Sequence, residues 1–127
     1  MIEDMKNTRL VAVNTEILDT KDMDFPIHDA GYLYGFGLFE TILIYKGKIP
    51  FLDYHYSRLS DSAKVLGIPL PLSITQVKET LNALMSRTNT KMAKLNLYLS
   101  AGDKEEESSG FVFRNPKLIS VIRPYNH

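Results

Sequence analysis

Two runs in this chain alternate with a period of two, and that alternation most restricts how it can fold. In residues 92–101, Leu95, Leu97 and Leu99 share one side, while Lys94, Asn96, Tyr98 and Ser100 share the other. In residues 39–45, Phe39, Thr41, Leu43 and Tyr45 fall on one side and Glu40, Ile42 and Ile44 on the other. Successive side chains of a strand point to opposite faces, so these runs specify strands with one face in a core and a second, more polar face. An antiparallel sheet with one buried face has that character.

The segments around them add helices and further strands. Residues 8–13 are rich in apolar and β-branched side chains and read as a first strand, with Asn14-Thr15 as a turn and residues 16–18 pairing back. Phe25-Pro26 is expected to be extended. Residues 31–37 carry three glycines among aromatics and read as an irregular loop. Lys46-Gly47 reads as a hairpin turn with residues 48–52 as the return strand. Asp53 is the expected N-cap of a helix on which Tyr56, Leu59, Ala63 and Leu66 share a face, closed by Gly67. Ser73 and Gln76 form a capping-box pattern ahead of a second helix with Val77, Leu81, Leu84 and Met85 inward. Residues 102–110 read as an acidic loop, and residues 111–113 and 118–122 as closing strands. The order strands, two helices, strands predicts an α+β fold: one antiparallel sheet with both helices packed on one face.

A chain of 127 residues suits one domain. Fifteen basic and fifteen acidic side chains cancel. That balance, with no basic stripe, argues against a nucleic-acid binder. There are no cysteines, so disulfides and thiolate metal sites are excluded. The first residues are polar and do not read as a signal peptide, and no apolar run approaches a membrane span. A cytoplasmic protein without membrane partners is the expectation.

Few residues offer chemistry. His28, His55 and His127 show no metal-ligand spacing, and no Gly-x-Ser-x-Gly elbow occurs. Glu40 has the chemistry of a general base, but a strand glutamate more often forms an ion pair. His55 lies in the first turn of a helix, where a structural role is the default. Arg58 has two readings. One is a surface pair with Asp61, three residues on. The other is an anion clamp, since a guanidinium offers a planar fork of donors that matches phosphate.

Residues 29–41 (DAGYLYGFGLFET) resemble the signature of class IV aminotransferases, the fold type IV enzymes that use pyridoxal phosphate (PLP). The group includes branched-chain aminotransferases, D-amino acid aminotransferases and aminodeoxychorismate lyases. The turn Tyr45-Lys46-Gly47-Lys48 and the His55-x-x-Arg58-Leu59 helix are similar to the same family, and residues 118–124 look like the last strand of its small N-terminal domain. The resemblance implies that Arg58 binds the PLP phosphate and that Tyr34 and Phe39 line the substrate side. It places Asn96 where branched-chain enzymes carry an arginine near the substrate carboxylate. Amino acid substrates and a homo-oligomer are implied with it.

The chain departs from the family at Ala30, Phe36 and Ala101, which stand where arginine, aspartate and arginine are usual. An acidic 103–107 loop is expected to repel a carboxylate where D-amino acid enzymes attract one. The lysine that carries PLP covalently belongs to the family's C-terminal domain, and this chain stops at His127, about where the interdomain linker is expected. The expectation is therefore one small domain over residues 1–127, with no catalytic residue of its own and no transaminase or lyase activity alone. The alternative is a stand-alone dimerisation or ligand-binding module of the same fold. A weaker third reading is a binder of another phosphate-bearing ligand through Arg58.

Overall fold

The computed structural model describes residues 10–24 and 26–124. The expected strand residues Thr8 and Arg9, and Phe25 of the extended Phe25-Pro26 pair, lie outside the described residues.

Strands β1 (Leu10–Val13), β2 (Glu16–Asp19), β3 (Gly37–Ile44), β4 (Ala93–Ser100) and β7 (Lys117–Pro124) form a five-stranded sheet in the order β2-β1-β7-β4-β3. Every pairing is antiparallel. Helices α2 (Leu52–Leu66) and α3 (Ile74–Thr88) cover one face. Ile42, Ile44, Leu95, Leu97, Leu99, Leu118 and Ile122 from the sheet pack there with Leu59, Ala63, Val77, Leu81 and Leu84 from the helices. The alternation of β3 and β4 thus sorts as the sequence predicts, and the α+β class holds. No helix among the described residues is long and apolar enough to cross a membrane.

The local signals work where they are chemically specific. Ser73 and Gln76 form the reciprocal capping box at the start of α3, with Gln76 N–H donating to Ser73 Oγ at 3.2 Å and Ser73 N–H donating to Gln76 Oε1 at 2.9 Å. Gly67 closes α2.

Four expectations need correction. Residues 31–37 are not wholly irregular: α1 (Ala30–Tyr34) forms, because the Asp29 carboxylate accepts from the Gly31 and Tyr32 amides and Gly35 ends the turn in the left-handed region. Residues 48–52 are not a return strand. Tyr45 and Lys48 make one isolated bridge, and Pro50 has no N–H to extend the ladder. Asp53 is not the N-cap. Phe51 holds that position with a left-handed φ of 63°, and Asp53 lies inside the first turn, where its carboxylate suits the helix dipole and meets Lys78 Nζ at 3.0 Å.

The fourth concerns residues 102–110, which are mainly a hairpin arm. β5 (Asp103–Glu107) pairs with β6 (Gly110–Arg114). Its carboxylates are partly paired: Glu105 with Arg114 and Glu106 with Lys104 at 3.3 Å, while Asp103 accepts from the Asn115 amide at 3.0 Å. The expected acidic loop is therefore a ribbon that keeps an acidic excess, with Asp103, Glu105, Glu106 and Glu107 against Lys104 and Arg114.

Gly102 joins β4 to that ribbon at φ 79°, and a Cβ there would lie 2.3 Å from the Arg114 carbonyl oxygen and 2.4 Å from that of Asn115. Gly102→Ala is expected to destabilise the chain by about 1–3 kcal/mol. Urea denaturation checks this; an unchanged midpoint would show that the join relaxes freely.

Candidate functional site

Glu40 falls on the core side of β3 and is 6% exposed. An unpaired carboxylate there would cost several kcal/mol. The partners come from α2, where His55 and Arg58 are three residues apart and share a face. His55 Nδ1 lies 2.8 Å from one Glu40 oxygen, and Arg58 Nε donates to the other at 3.0 Å. The expected Arg58–Asp61 surface pair is replaced by this one.

The Arg58 side chain remains 56% exposed. Its guanidinium carbon stands 5.9 Å from the centre of the Tyr54 ring. The hydrogen bond to Glu40, the Glu40 charge and a hydrogen bond to Tyr54 push the guanidinium above the ordinary arginine range. A raised pKa favours the charged form. The stabilisation is thus complete below the ordinary arginine pKa and is lost only at higher pH, so Arg58 is a permanent cation near neutrality. Its Nε is committed to Glu40 and one bond goes to Tyr54, leaving the other donors of a half-exposed guanidinium. That donor set fits a phosphate. No metal-ligating cluster occurs among the described residues.

The other predicted site residues lie elsewhere. Phe39 and Asn96 sit on the opposite face of the sheet from Glu40, since strand neighbours alternate. Phe39 is paired across the strands with Tyr98, ring centres 6.3 Å apart. Asn96 is 7% exposed and its amide donates to Thr41 Oγ1 at 2.9 Å. Tyr34, at the end of α1, approaches the Phe36 ring at 6.4 Å, and Phe36 packs on Phe111 and Phe113 of the hairpin. Lys104 Nζ lies 5.5 Å from the Tyr34 ring centre. The structure therefore brings Phe39 and Asn96 to one face, holds Arg58 on the helical side with Glu40, and places Tyr34 with the hairpin.

Two participants escape a reading by motif. The Glu40–His55 contact was foreshadowed by parity: Glu40 alternates into line with Ile42 and Ile44, and a charge on a core face demands a partner. Tyr98 becomes visible only once the strand register sets it beside Phe39.

Glu40→Gln keeps the shape and removes the charge. It is expected to speed solvent exchange of the Arg58 Nε–H in arginine-selective NMR and to destabilise the fold by about 1–3 kcal/mol. Unchanged exchange would show that Glu40 does not hold the guanidinium.

The family model described as amino-transferase class IV matches residues 37–127. An aminodeoxychorismate lyase of Bacillus subtilis is 34% identical over 115 residues, covering 89% of this chain and 39% of the relative. A 4-amino-4-deoxychorismate lyase of Pseudomonas aeruginosa shares the fold at a TM-score of 0.67 and 23% identity, over 91% of this chain and 40% of that one. The branched-chain aminotransferase of Thermobaculum terrenum in its PLP form does so at 0.75 and 16%, over 96% of this chain and 42% of that one. The chain thus spans about 40% of the length of these proteins. The family match extends from the first residue of β3 through α2 and both hairpin arms, and by it the chain belongs to the amino-transferase class IV family.

Proposed function

We propose that this chain is the small N-terminal domain of a PLP-dependent enzyme that converts an amino acid or amino-substituted acid by transamination or elimination. Arg58 is its cofactor-phosphate clamp, and Phe39, Asn96 and Tyr34 belong to its substrate wall. The observation that carries this reading is the half-exposed Arg58 guanidinium, oriented from behind by a buried carboxylate. A long flexible cation loses rotamer freedom on binding; the Glu40 bond has already removed much of it.

PLP, when bound, supplies the electron sink for chemistry at the substrate's amino-bearing carbon. The residues of this chain bind and orient. Glu40 fixes Nε, His55 occupies the second Glu40 oxygen, and Arg58 presents positive charge to the phosphate. On the far face, Asn96 and Thr41 hold one another and keep that wall polar beside Phe39. The lysine that would carry the cofactor covalently comes, on this reading, from outside these 127 residues. On this reading the 127-residue chain alone is inactive, and the working form is a homo-oligomer in the cytoplasm.

The test is PLP affinity in a protein that joins this segment to the remainder of a class IV enzyme. Arg58→Ala is expected to weaken PLP binding about ten- to a hundred-fold, the worth of a charge-assisted hydrogen bond to phosphate. Arg58→Lys should recover part of it, because the charge returns without the planar fork. Unchanged affinity in Arg58→Ala would return Arg58 to a purely structural role.

A further inference from the structure

Tyr54 takes no part in the core and lies outside the His55-x-x-Arg58-Leu59 element, yet it stands against the candidate clamp. It is 60% exposed, in the first turn of α2. It precedes Arg58 by four residues, so the two side chains share a helix face. The guanidinium carbon lies 5.9 Å from the centre of its ring, and a hydrogen bond joins the two side chains. A guanidinium has only donors, so the Tyr54 hydroxyl is the acceptor. The Tyr54 ring also meets the His55 ring edge-on, with centres 5.6 Å apart and planes at 75°. His55 Nδ1 in turn lies 2.8 Å from one Glu40 oxygen, and Arg58 Nε 3.0 Å from the other. Glu40, His55, Tyr54 and Arg58 thus form a closed circuit of contacts. Burial accounts for the Glu40 corner of that circuit but not for the Tyr54 corner.

We infer that Tyr54 is a positioning residue of the phosphate clamp: it holds the outer part of the Arg58 guanidinium and so sets the plane in which the remaining donors meet a phosphate. This deepens the proposed function and rests on its assignment of Arg58 to the phosphate. Glu40 restrains the guanidinium at Nε alone. One point of attachment leaves a planar group able to pivot about that bond, and a second point removes the pivot. The orientation of the plane matters because a guanidinium meets phosphate through a fork of parallel donors, not as a point charge. A cation within about 6 Å of an aromatic ring is also attracted by the ring quadrupole, so ring and hydroxyl hold Arg58 together. Tyrosine suits the task, since it has only two torsions and its ring is already braced by His55. Ordering a long cation during binding costs affinity, and ordering it beforehand returns that affinity to the ligand.

The experiment is an NMR titration of the 127-residue chain with inorganic phosphate, in the parent, Tyr54→Ala, Tyr54→Phe and Arg58→Ala. Arginine-selective spectra read rotation of the Arg58 guanidinium about its Nε–Cζ bond before phosphate is added, and amide shifts on α2 read the affinity. Tyr54→Ala is expected to speed the rotation and to weaken phosphate roughly two- to ten-fold. Tyr54→Phe keeps the ring and loses the hydroxyl, and should fall between Tyr54→Ala and the parent in both readings. Because Tyr54 is largely exposed, its variants are expected to melt like the parent. Unchanged rotation in Tyr54→Ala, or faster rotation with no loss of phosphate affinity, overturns the inference. Arg58→Ala separates the two readings. Phosphate binding that Arg58→Ala abolishes and Tyr54→Ala leaves intact removes the inference and leaves the proposed function. Phosphate binding that survives Arg58→Ala removes the proposed function, and with it the inference, even where Tyr54→Ala speeds the rotation.

Discussion

A buried carboxylate organises the helical side of this protein. Glu40 occupies an inward position of β3 in line with Ile42 and Ile44, where every neighbour on the strand face is apolar. Neither leaving it unpaired nor moving it outward is open to the fold. The first costs several kcal/mol, and the second slips the register and turns the whole strand inside out. The remaining solution is to bring donors to it, and α2 does so with His55 and Arg58. That demand sets the rotation of α2 over the edge strand. With His55 and Arg58 turned to Glu40, Leu59 and Ala63 fall into the core and Tyr56 reaches the Leu72 carbonyl at 2.7 Å. This ion-pair cluster thus joins stability to the orientation of a cation that matches a phosphate.

The glycine-aromatic stretch answers a different constraint. Asp29 is fully buried, and one of its oxygens accepts from two α1 amides and the Ser100 hydroxyl. Its other oxygen makes no hydrogen bond and faces Lys117 Nζ at 4.0 Å. Ala30, Phe36 and Ala101 meet around this anchor. Ala30 N–H donates to the Gly102 carbonyl, Phe36 N–H to the Ala30 carbonyl, and Ala101 N–H to the Phe36 carbonyl. Ala30 and Ala101 are both fully buried, and Phe36 seals the gap to the hairpin with Phe113 at 5.0 Å. Ala30, Phe36 and Ala101 are here one apolar joint.

The sheet then separates two kinds of surface. Its helical side supplies core and, at the edge, Arg58. Its far side supplies Phe39, Tyr98 and the Asn96–Thr41 pair. Each strand contributes to both because its side chains alternate, so neighbours such as Phe39 and Glu40 serve opposite faces.

Much of the architecture follows from the sequence alone. Period-two runs at β3 and β4, the Ser73–Gln76 cap and the Gly67 stop are short-range signals whose physics is complete within a few residues, and they lead to the α+β sheet-and-helix arrangement. The family resemblance in residues 29–41 is legible for the same reason, as a local string of residue types, although the family match itself begins at residue 37. Interactions between distant segments are not. Whether residues 103–107 are loop or strand depends on residues 110–114 lying opposite with Arg114 to meet Glu105. Whether Phe51 or Asp53 begins α2 depends on where Glu40 needs its partners. That Arg58 pairs with a strand carboxylate eighteen residues away rather than with Asp61, and that Tyr98 stands beside Phe39, were decided by tertiary packing. The burial of Glu40 and the strand register exist only once the chain has closed on itself.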